Sequence, residues 1–298
     1  MKLTVNRRRR VAAYGLLRDG ERVLLVAAGA GWSLPGGTVE HGESPQATVA
    51  RLGSVQSGLD FHVGTPYAAL ADRVNLPGRT AVHHDRLVFE VTATGEPTAP
   101  GKWWDVAALV GAELTPFTRV VLGVAGGGGA VLEHDEGWPI ERGLALDRSG
   151  GRPRVQRFST YAVATDPAGR VLLTRIARGF PGAGRWHLPG GGTDFGESPT
   201  EALLREVREE SDQRGEVLGL VSVSHRHNPA AQGREGYPID WHTVRVIYRV
   251  RVDEPSVPRV TEGAGGSTES ARWFAPAEIP TADLTDFAGS ALTEAGVR

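Results

Sequence analysis

The 298-residue sequence contains no cysteine, which excludes disulfides, zinc–thiolate sites and thiol nucleophiles. Lysine is nearly absent, occurring only at Lys2 and Lys102, so arginine carries the positive charge. No apolar run approaches the roughly 20 residues that a membrane-spanning helix requires. The first residues, Met1 to Asn6, lack the apolar core of a secretory signal. We therefore expect a cytoplasmic protein without a membrane partner.

The sequence also has little net charge. Its formal value of -2 argues against a general nucleic-acid binder. The run of arginines at 7–10 is a local exception, which we interpret as a solvated lead-in to the first strand in preference to a phosphate-binding arm. A hydrophobic content of 40% and a charged content of 23% are typical of a globular protein. The length suits two domains, each with its own core.

The chain carries two copies of one sequence pattern. The segment Trp32 to Gly37 (WSLPGG) matches Trp186 to Gly191 (WHLPGG), with an offset of 191 − 37 = 154 residues. Further identical pairs at this offset are Gly42/Gly196, Glu43/Glu197, Ser44/Ser198, Pro45/Pro199 and Arg51/Arg205. Upstream, RVLL at 22–25 matches RVLL at 170–173 with an offset of 148, so the second copy has 154 − 148 = 6 extra residues between about Arg175 and Arg185. Downstream, Leu114 to Phe117 matches Leu284 to Phe287. This ordered series predicts a tandem duplication.

Glycine-rich sequence separates the two copies. Four consecutive glycines begin at Gly126, and a polar stretch continues to Pro153. Such composition favours a flexible connection. We predict a first domain at 1–125, a linker at 126–153 and a second domain at 154–298.

Hydrophobic patterning predicts an α+β fold, a mixed sheet with helices packed on it, made twice. The predicted strands are Val11 to Leu17, Phe158 to Thr165, Val217 to Val223 and Thr243 to Val252. A helix should begin at Pro199, with Ser198 as its N-cap and Glu201 completing a capping box. A final helix is predicted from about Asp283 to Glu294.

Three carboxylates in the second copy have the spacing of a cation site. Glu206, Glu209 and Glu210 lie at i, i+3 and i+4 of the predicted helix and so share one face. Carboxylate oxygens are the ligands that Mg²⁺ and Mn²⁺ prefer. Arg205 neighbours Glu206 and stands four residues before Glu209, so it can orient both side chains. Taken alone, three glutamates are more often a salt-bridged surface; the glycines before the helix and Glu197 favour the metal site.

Together these residues resemble the Nudix box. The pattern is Gly191, five residues, Glu197, seven residues, then Arg205-Glu206-Val207, one residue, and Glu209-Glu210. The resemblance to Nudix hydrolases extends over nearly the whole chain as two domains. It implies a Nudix-type α/β/α sandwich around a mixed sheet. It also implies metal-dependent hydrolysis of a nucleoside diphosphate linked to another group.

The resemblance assigns roles to individual positions. Glu206, Glu209 and Glu210 would be the metal ligands for Mg²⁺ or Mn²⁺, and Glu197 and Arg205 the supporting catalytic pair. The general base would be Glu206 or a later glutamate, for which the candidates are Glu235, Glu254, Glu262 and Glu269. The chain departs from the family at Asp212-Gln213, where a glycine and an apolar residue are usual. We expect a reshaped helix end, with Gly215 taking the left-handed turn.

Signals for the substrate are weaker. Gly191 and Gly192 let the backbone approach a ligand closely. Arg185, in the inserted loop, would contribute to an anion clamp. The segment from His225 to Trp241 is polar, and we interpret it as a lid that bears Arg226 for phosphates and Tyr237 for a base. Its histidines are interpreted as exposed loop residues.

The first copy lacks the metal ligands. At offset 154 the three glutamates become Leu52, Val55 and Gln56, although Glu43 and Arg51 remain. Apolar side chains offer no oxygen to a cation, so this copy should be non-catalytic. It is either a structural or dimer-forming remnant or a regulatory domain that binds a nucleotide without cleaving it.

Two functions of different classes remain. The first is a diphosphatase acting on a small nucleotide substrate through the second copy, with a homodimer as one arrangement. The second is a nucleotide-binding regulator without turnover. The intact carboxylates favour the enzyme. An isopentenyl-diphosphate isomerase shares the fold but normally needs a cysteine, which this chain lacks.

Overall fold

The computed structural model describes residues 6–76, 80–124, 132–135, 152–232, 238–261, 263 and 266–297. As far as described, the chain divides into two compact units. The first unit comprises 1–158, 195–198 and 224–244, and the second comprises 159–194, 199–223 and 245–298. Two segments of the second sequence copy therefore belong to the first compact unit. None of the described helices is both long and apolar enough to cross a membrane.

The first copy forms a mixed sheet. Its strands run in the order β3-β2-β1-β6-β5-β8, with β4 paired to β1 and β7 paired to β2. Strands β1 and β6 are parallel, with Asn6 opposite Thr80 and Leu17 opposite Val91, whereas β5 and β6 are antiparallel. The strands are β1 Asn6–Asp19, β2 Arg22–Ala28, β3 Gly31–Ser33, β4 Gly36–Thr38, β5 His62–Leu76, β6 Thr80–Thr92, β7 Gly101–Asp105 and β8 Leu132–Asp135.

Two helices and a 3₁₀ helix accompany this sheet. Helix α1 spans Pro45–Ser57, where Pro45 suits the first turn and the Ser44 side chain accepts a hydrogen bond from the Ala47 amide at 3.1 Å. Helix α2 spans Pro116–Val121, and the 3₁₀ helix spans Val106–Gly111. The core of this copy consists of fully or nearly buried apolar side chains, among them Leu16, Leu25, Leu34, Val88, Leu109 and Phe117.

The second copy repeats these elements. Its sheet has the order β11-β10-β9-β14-β13, with β12 paired to β9 and β15 paired to β10. Its strands are β9 Arg154–Thr165, β10 Val171–Ile176, β11 Trp186–His187, β12 Gly190–Gly192, β13 Glu216–Gln232, β14 Pro238–Arg251 and β15 Thr268–Phe274. Its helices are α3 Pro199–Ser211, α4 Asp286–Glu294 and the 3₁₀ helix Pro276–Thr281. A second core includes Val163, Leu173, Leu188, Ile247, Phe274 and Leu292.

These elements confirm the predicted duplicated mixed-sheet fold, with differences at the edges. The predicted strand Thr243 to Val252 ends one residue earlier, at Arg251. The final helix begins at Asp286, not Asp283, because the Thr285 hydroxyl accepts the Ala288 amide at 3.2 Å and so caps it.

The prediction of a lid from His225 to Trp241 was wrong for the residues that the structure describes, because they form strands. Residues 225–232 continue β13, and residues 238–241 open β14. Strand β13 stands last in the sheet order, and an edge position tolerates polar side chains and Pro229.

Within the predicted linker, residues 132–135 form β8, which pairs in parallel with β5. The arginine run lies inside β1, where Arg9 binds Asp85 with its Nε at 2.9 Å.

Candidate metal and phosphate site

Helix α3 lies directly against the glycine strand β12. A Cβ atom placed on Gly191 would stand 2.6 Å from Oε1 of Glu206, closer than real Cβ atoms approach other heavy atoms. Any side chain at position 191 would therefore displace the Glu206 carboxylate. This glycine therefore leaves the space that the Glu206 carboxylate occupies, in addition to any approach of a ligand.

Arg205 holds two of the three predicted ligands. Its Nη1 donates to Oε1 of Glu206 at 3.0 Å and to Oε2 of Glu209 at 3.1 Å. Its Nη2 donates to the Gly192 carbonyl at 3.1 Å, which ties the helix to β12. One guanidinium thus neutralises two carboxylates and fixes them relative to the backbone.

Glu210 has a different environment. It is 3% exposed, and its Oε2 accepts the Gly190 amide at 2.9 Å. The Thr268 hydroxyl of β15 donates to its other oxygen. Thr268 lies 58 residues further along the chain, and no feature of the sequence pointed to it.

The three glutamates do not converge on one point. Among the described residues, three other side chains do bring ligand atoms within 4.8 Å of one another. They are His41, His227 and Asp240, and they belong to the first unit. The reason is visible in the contacts, because Arg205 holds Glu206 and Glu209 while Glu210 turns to Gly190 and Thr268.

The end of α3 is reshaped, as expected, but by another residue. Asp212 itself adopts the left-handed conformation with φ 55°, whereas Gly215 is not among the described positive-φ glycines. The prediction that Gly215 takes this turn was wrong. A Cβ on Gly215 would come 2.4 Å from Cγ1 of Val250, so this glycine serves close packing. The amide of Thr261 donates to the Glu209 carbonyl at 2.7 Å and satisfies the helix end.

The predicted substrate residues are distributed differently. Arg185 pairs with Asp283 and Asp286, at 3.4 and 3.1 Å. These carboxylates raise the pKa of its guanidinium, chiefly through the hydrogen bond that Arg185 donates to Asp286. Gly192 contributes its carbonyl to Arg205. Glu197 and the exposed Arg226 belong to the first compact unit, whereas the carboxylate helix belongs to the second.

The remaining candidates are only partly described. Tyr237, Glu235 and Glu262 lie outside the described residues. Glu254 is exposed after β14, and Glu269 lies 3.8 Å from Nε of Arg175.

An aromatic group adjoins the glycine strand and was not anticipated. Tyr161 is opposite Gly190 in the sheet. Its ring stands 4.8 Å from Phe287 and 5.3 Å from His187, centroid to centroid. The Arg245 guanidinium lies 4.2 Å above Phe287. Burial, and then the charge of Arg245, lower the pKa of His187 to about 4, so this ring is neutral at pH 7.

The corresponding place in the first copy is closed by hydrogen bonds. Gln56 stands where Glu210 stands, accepts the Gly36 amide at 2.7 Å and donates to the Gly36 carbonyl at 3.0 Å. Glu43 accepts two hydrogen bonds from Arg51, at 2.8 and 2.7 Å. Burial opposes ionisation of Glu43, but these bonds outweigh it and lower the pKa of its carboxyl.

A cavity of about 290 Å³ borders Gly36 and Gln56. Arg86 spans it, binding Asp72 through two nitrogens and the Tyr14 hydroxyl through a third. His84 is 3% exposed on the cavity wall. Burial, and then the charge of Arg86, lower its pKa to about 3.

Comparison with known proteins identifies both halves. The sequence model of the family described as NUDIX domain matches residues 6–122 and 155–294. The chain is 29% identical over 121 residues to nucleoside diphosphate-linked moiety X motif 6 of Xenopus laevis, covering 38% of this chain and 54% of that protein. It is 45% identical over 65 residues to the RNA pyrophosphohydrolase of Halorhodospira halophila, covering 22% of this chain and 31% of that protein. The chain thus spans about half or less of these relatives' lengths.

A solved structure is also similar. The MutT NUDIX hydrolase from Burkholderia pseudomallei is 30% identical, with a TM-score of 0.38 over 47% of this chain and 98% of that one.

Proposed function

Because this chain belongs to the NUDIX domain family, we propose that it is a metal-dependent hydrolase whose second copy cleaves a diphosphate bond. The substrate is a nucleoside diphosphate linked to another group. The observation that carries this proposal is the set of Glu206, Glu209 and Glu210 on the helix face that Arg205 and the glycine strand border.

The donor set fits a hard divalent cation. Glu206, Glu209 and Glu210 supply oxygen ligands, as Mg²⁺ and Mn²⁺ require. Because Gly191 has no side chain, the Glu206 carboxylate can lie against the backbone at this position. When bound, such a cation lowers the pKa of water and neutralises phosphate oxygens.

The residues of the chain position this chemistry. Arg205 orients Glu206 and Glu209, and release of its contacts would free both carboxylates to turn toward a common point. Glu197 is assigned a supporting role, because its counterpart Glu43 holds Arg51 with two hydrogen bonds. One glutamate accepts the proton of the attacking water, and Glu206 or Glu269 would serve.

The substrate class follows from chemistry shared by the relatives. The names of the two relatives refer to a nucleoside diphosphate-linked moiety and to an RNA pyrophosphohydrolase. A nucleoside diphosphate and a pyrophosphate both contain a phosphoric anhydride. The partly buried rings of Tyr161 and Phe287 beside β12 offer a surface against which a base can stack. The assignment of Arg226 and Tyr237 to substrate binding rests on the sequence alone. The proposed cytoplasmic location also rests on the sequence alone.

The first copy is proposed to be non-catalytic, because Leu52 and Val55 provide no metal ligand. The alternative function is a nucleotide-binding regulator without turnover, favoured by the cavity beside Gln56, which charged and apolar side chains line together. Calorimetry of the full chain carrying Glu209→Gln separates binding from cleavage.

A phosphate-release screen tests the proposal. Nucleoside diphosphate sugars, ADP-ribose, dinucleoside polyphosphates and noncanonical triphosphates would be offered to the full chain with Mg²⁺ or Mn²⁺. We expect release that chelation stops and that Glu209→Gln or Glu210→Gln abolishes, with circular dichroism unchanged. Turnover unaffected by either substitution would reject the assignment.

A further inference from the structure

Four histidines and an aspartate form a cluster in the first compact unit, away from the carboxylate helix in sequence. His41 follows β4, His225 and His227 lie on β13, and Asp240 and His242 lie on β14. The ring of His41 stands 5.4 Å from that of His227 and 5.5 Å from that of His242. The sequence contains nine histidines, so four of them meeting at one place calls for a physical explanation.

The side chains of His41, His227 and Asp240 bring potential metal-ligand atoms close together. Nε2 of His41 lies 3.0 Å, and Nε2 of His227 lies 2.7 Å, from Oδ1 of Asp240. All three atoms are within 4.8 Å of one another. Ligands about 2.0–2.1 Å from a tetrahedral metal stand roughly 3.3 Å apart. The distances from Oδ1 of Asp240 to the His41 and His227 nitrogens are about 0.3 and 0.6 Å shorter than this, so a bound metal would move each histidine slightly away from the carboxylate.

The buried member of the set is not satisfied by protein groups. The His41 side chain is 6% exposed. Among the described residues, neither of its ring nitrogens makes a hydrogen bond of acceptable geometry, despite the proximity of Asp240. Burying such a polar group without a well-aligned partner destabilises the fold. A metal bound at Nε2 would remove that destabilisation.

Neighbouring groups fix the orientation of the ligands. Nε of Arg154 lies 3.7 Å from Oδ2 of Asp240, which leaves Oδ1 facing the histidines. Nδ1 of His242 accepts the Gly42 amide at 3.2 Å, so this nitrogen is occupied by a backbone contact beside the three ligands. A Cβ on Gly42 would come 2.9 Å from Nδ1 of His227, so only glycine lets the turn approach this closely.

We propose that His41, His227 and Asp240 form a second metal site, which binds a divalent transition metal of the zinc class. Two imidazoles, one carboxylate and a water make a set that Zn²⁺ accepts in tetrahedral geometry. Imidazole ligands select against Mg²⁺, so this site differs in metal preference from the all-carboxylate helix. Its role is structural, since the metal joins the β13–β14 strands to the turn after β4 within the first unit.

The test uses the full chain after treatment with a chelator and removal of the chelator. Zn²⁺ is titrated by calorimetry, and Co²⁺ by its visible absorption, which is intense only in tetrahedral sites. The variant Glu209→Gln/Glu210→Gln is included in each titration to remove the carboxylate site. We expect one zinc equivalent in that background, and a tetrahedral cobalt spectrum.

The exposed ligand is the best target, because its replacement should not disturb the core. His227→Asn should weaken zinc binding by about 100-fold or more and abolish the cobalt spectrum. His62→Asn, an exposed histidine on β5, is the matched control and should leave both unchanged. Asp240→Asn provides a second ligand variant, and zinc should raise the melting temperature of the parent but of neither ligand variant.

Two results would overturn the proposal. One is the absence of zinc binding at micromolar concentration in the parent. The other is equal zinc affinity in the parent, His227→Asn and Asp240→Asn.

Discussion

The two copies use different side chains to accept a hydrogen bond from the equivalent backbone amide. In the second copy the carboxylate of Glu210 accepts the Gly190 amide at 2.9 Å, and in the first copy the carboxamide of Gln56 accepts the Gly36 amide at 2.7 Å. The first copy then goes further, because the Gln56 amino group donates to the Gly36 carbonyl at 3.0 Å. The hydrogen bond between the helix and the glycine-containing strand is thus present in both copies. The difference is that the first copy has a neutral carboxamide where the second has an ionisable carboxylate.

The other two ligand positions differ more. Leu52 replaces Glu206, and Val55 replaces Glu209 with 76% of its surface exposed. Arg51 nevertheless keeps both hydrogen bonds to Glu43. Groups that position the helix therefore persist in the first copy, while two of the carboxylates that we propose as metal ligands have been replaced.

The largest expected effect concerns Glu209. Glu209→Gln removes the charge of a proposed metal ligand with little change in side-chain size, so we expect a loss of at least about 100-fold in metal-dependent turnover. Val55→Gln places the same side chain at the equivalent position of the first copy and should leave turnover unchanged. Steady-state rates with Mg²⁺ measure both.

A loss in both variants, or in neither, would remove the distinction between a catalytic and a non-catalytic copy. Circular dichroism of each variant serves as the folding control, because both positions lie on the partly exposed side of their helices.

The next effect concerns the arginine that the copies share. Arg205 makes three hydrogen bonds in a fork that lysine cannot reproduce, so Arg205→Lys should lower turnover by about 10- to 100-fold. Arg51→Lys should leave turnover unchanged and alter stability by no more than about 1 kcal/mol, because its pair with Glu43 is partly exposed. Equal rates for the two variants would show that Arg205 only supports the fold.

Much of this architecture was predictable. The repeat, the helix start at Pro199 and most strand positions follow from local periodicity and cap residues, which a sequence displays directly. Thr268 was not predictable, because a contact between residues 58 positions apart leaves no local signal. The strand extension at 225–232 is mostly exposed and contains polar residues and a proline, so this edge strand has the composition of a loop.

The histidine cluster was missed for the same reason. His41 and His227 are separated by most of the chain, and each, considered alone, is an ordinary polar residue. Their meeting depends on residues 224–232 of β13 and 238–244 of β14 belonging to the first compact unit, which the order of the two sequence copies does not indicate.

A smaller effect concerns the packing beneath the two helices. Gly53 of α1 faces Phe61, and a Cβ there would stand 2.3 Å from the ring. At offset 154 the corresponding positions hold Val207 and Gly215, so the order of large and small residues is reversed in the second sequence copy. Gly53→Ala should therefore destabilise the chain by about 1–3 kcal/mol, although alanine favours a helix.

Urea unfolding followed by circular dichroism measures this change. In the Phe61→Ala background, Gly53→Ala should cost less, since the ring that it strikes has been removed. A cost that is the same in both backgrounds would mean that the ring does not require the glycine.

The smallest effect lies at the helix ends, where the second copy is the less regular one. Gly58 ends α1 with φ 73°, while Asp212 adopts φ 55° at the end of α3. Because an L-residue is strained there, Asp212→Gly should raise the free energy of unfolding by about 0.5–1 kcal/mol. Gly58→Asp should cost more than that gain, since its Cβ would also come 2.3 Å from Oγ1 of Thr98. Thermal melting of both variants compares them; if Asp212→Gly destabilises the chain, the aspartate makes a contact at this turn that outweighs its backbone strain.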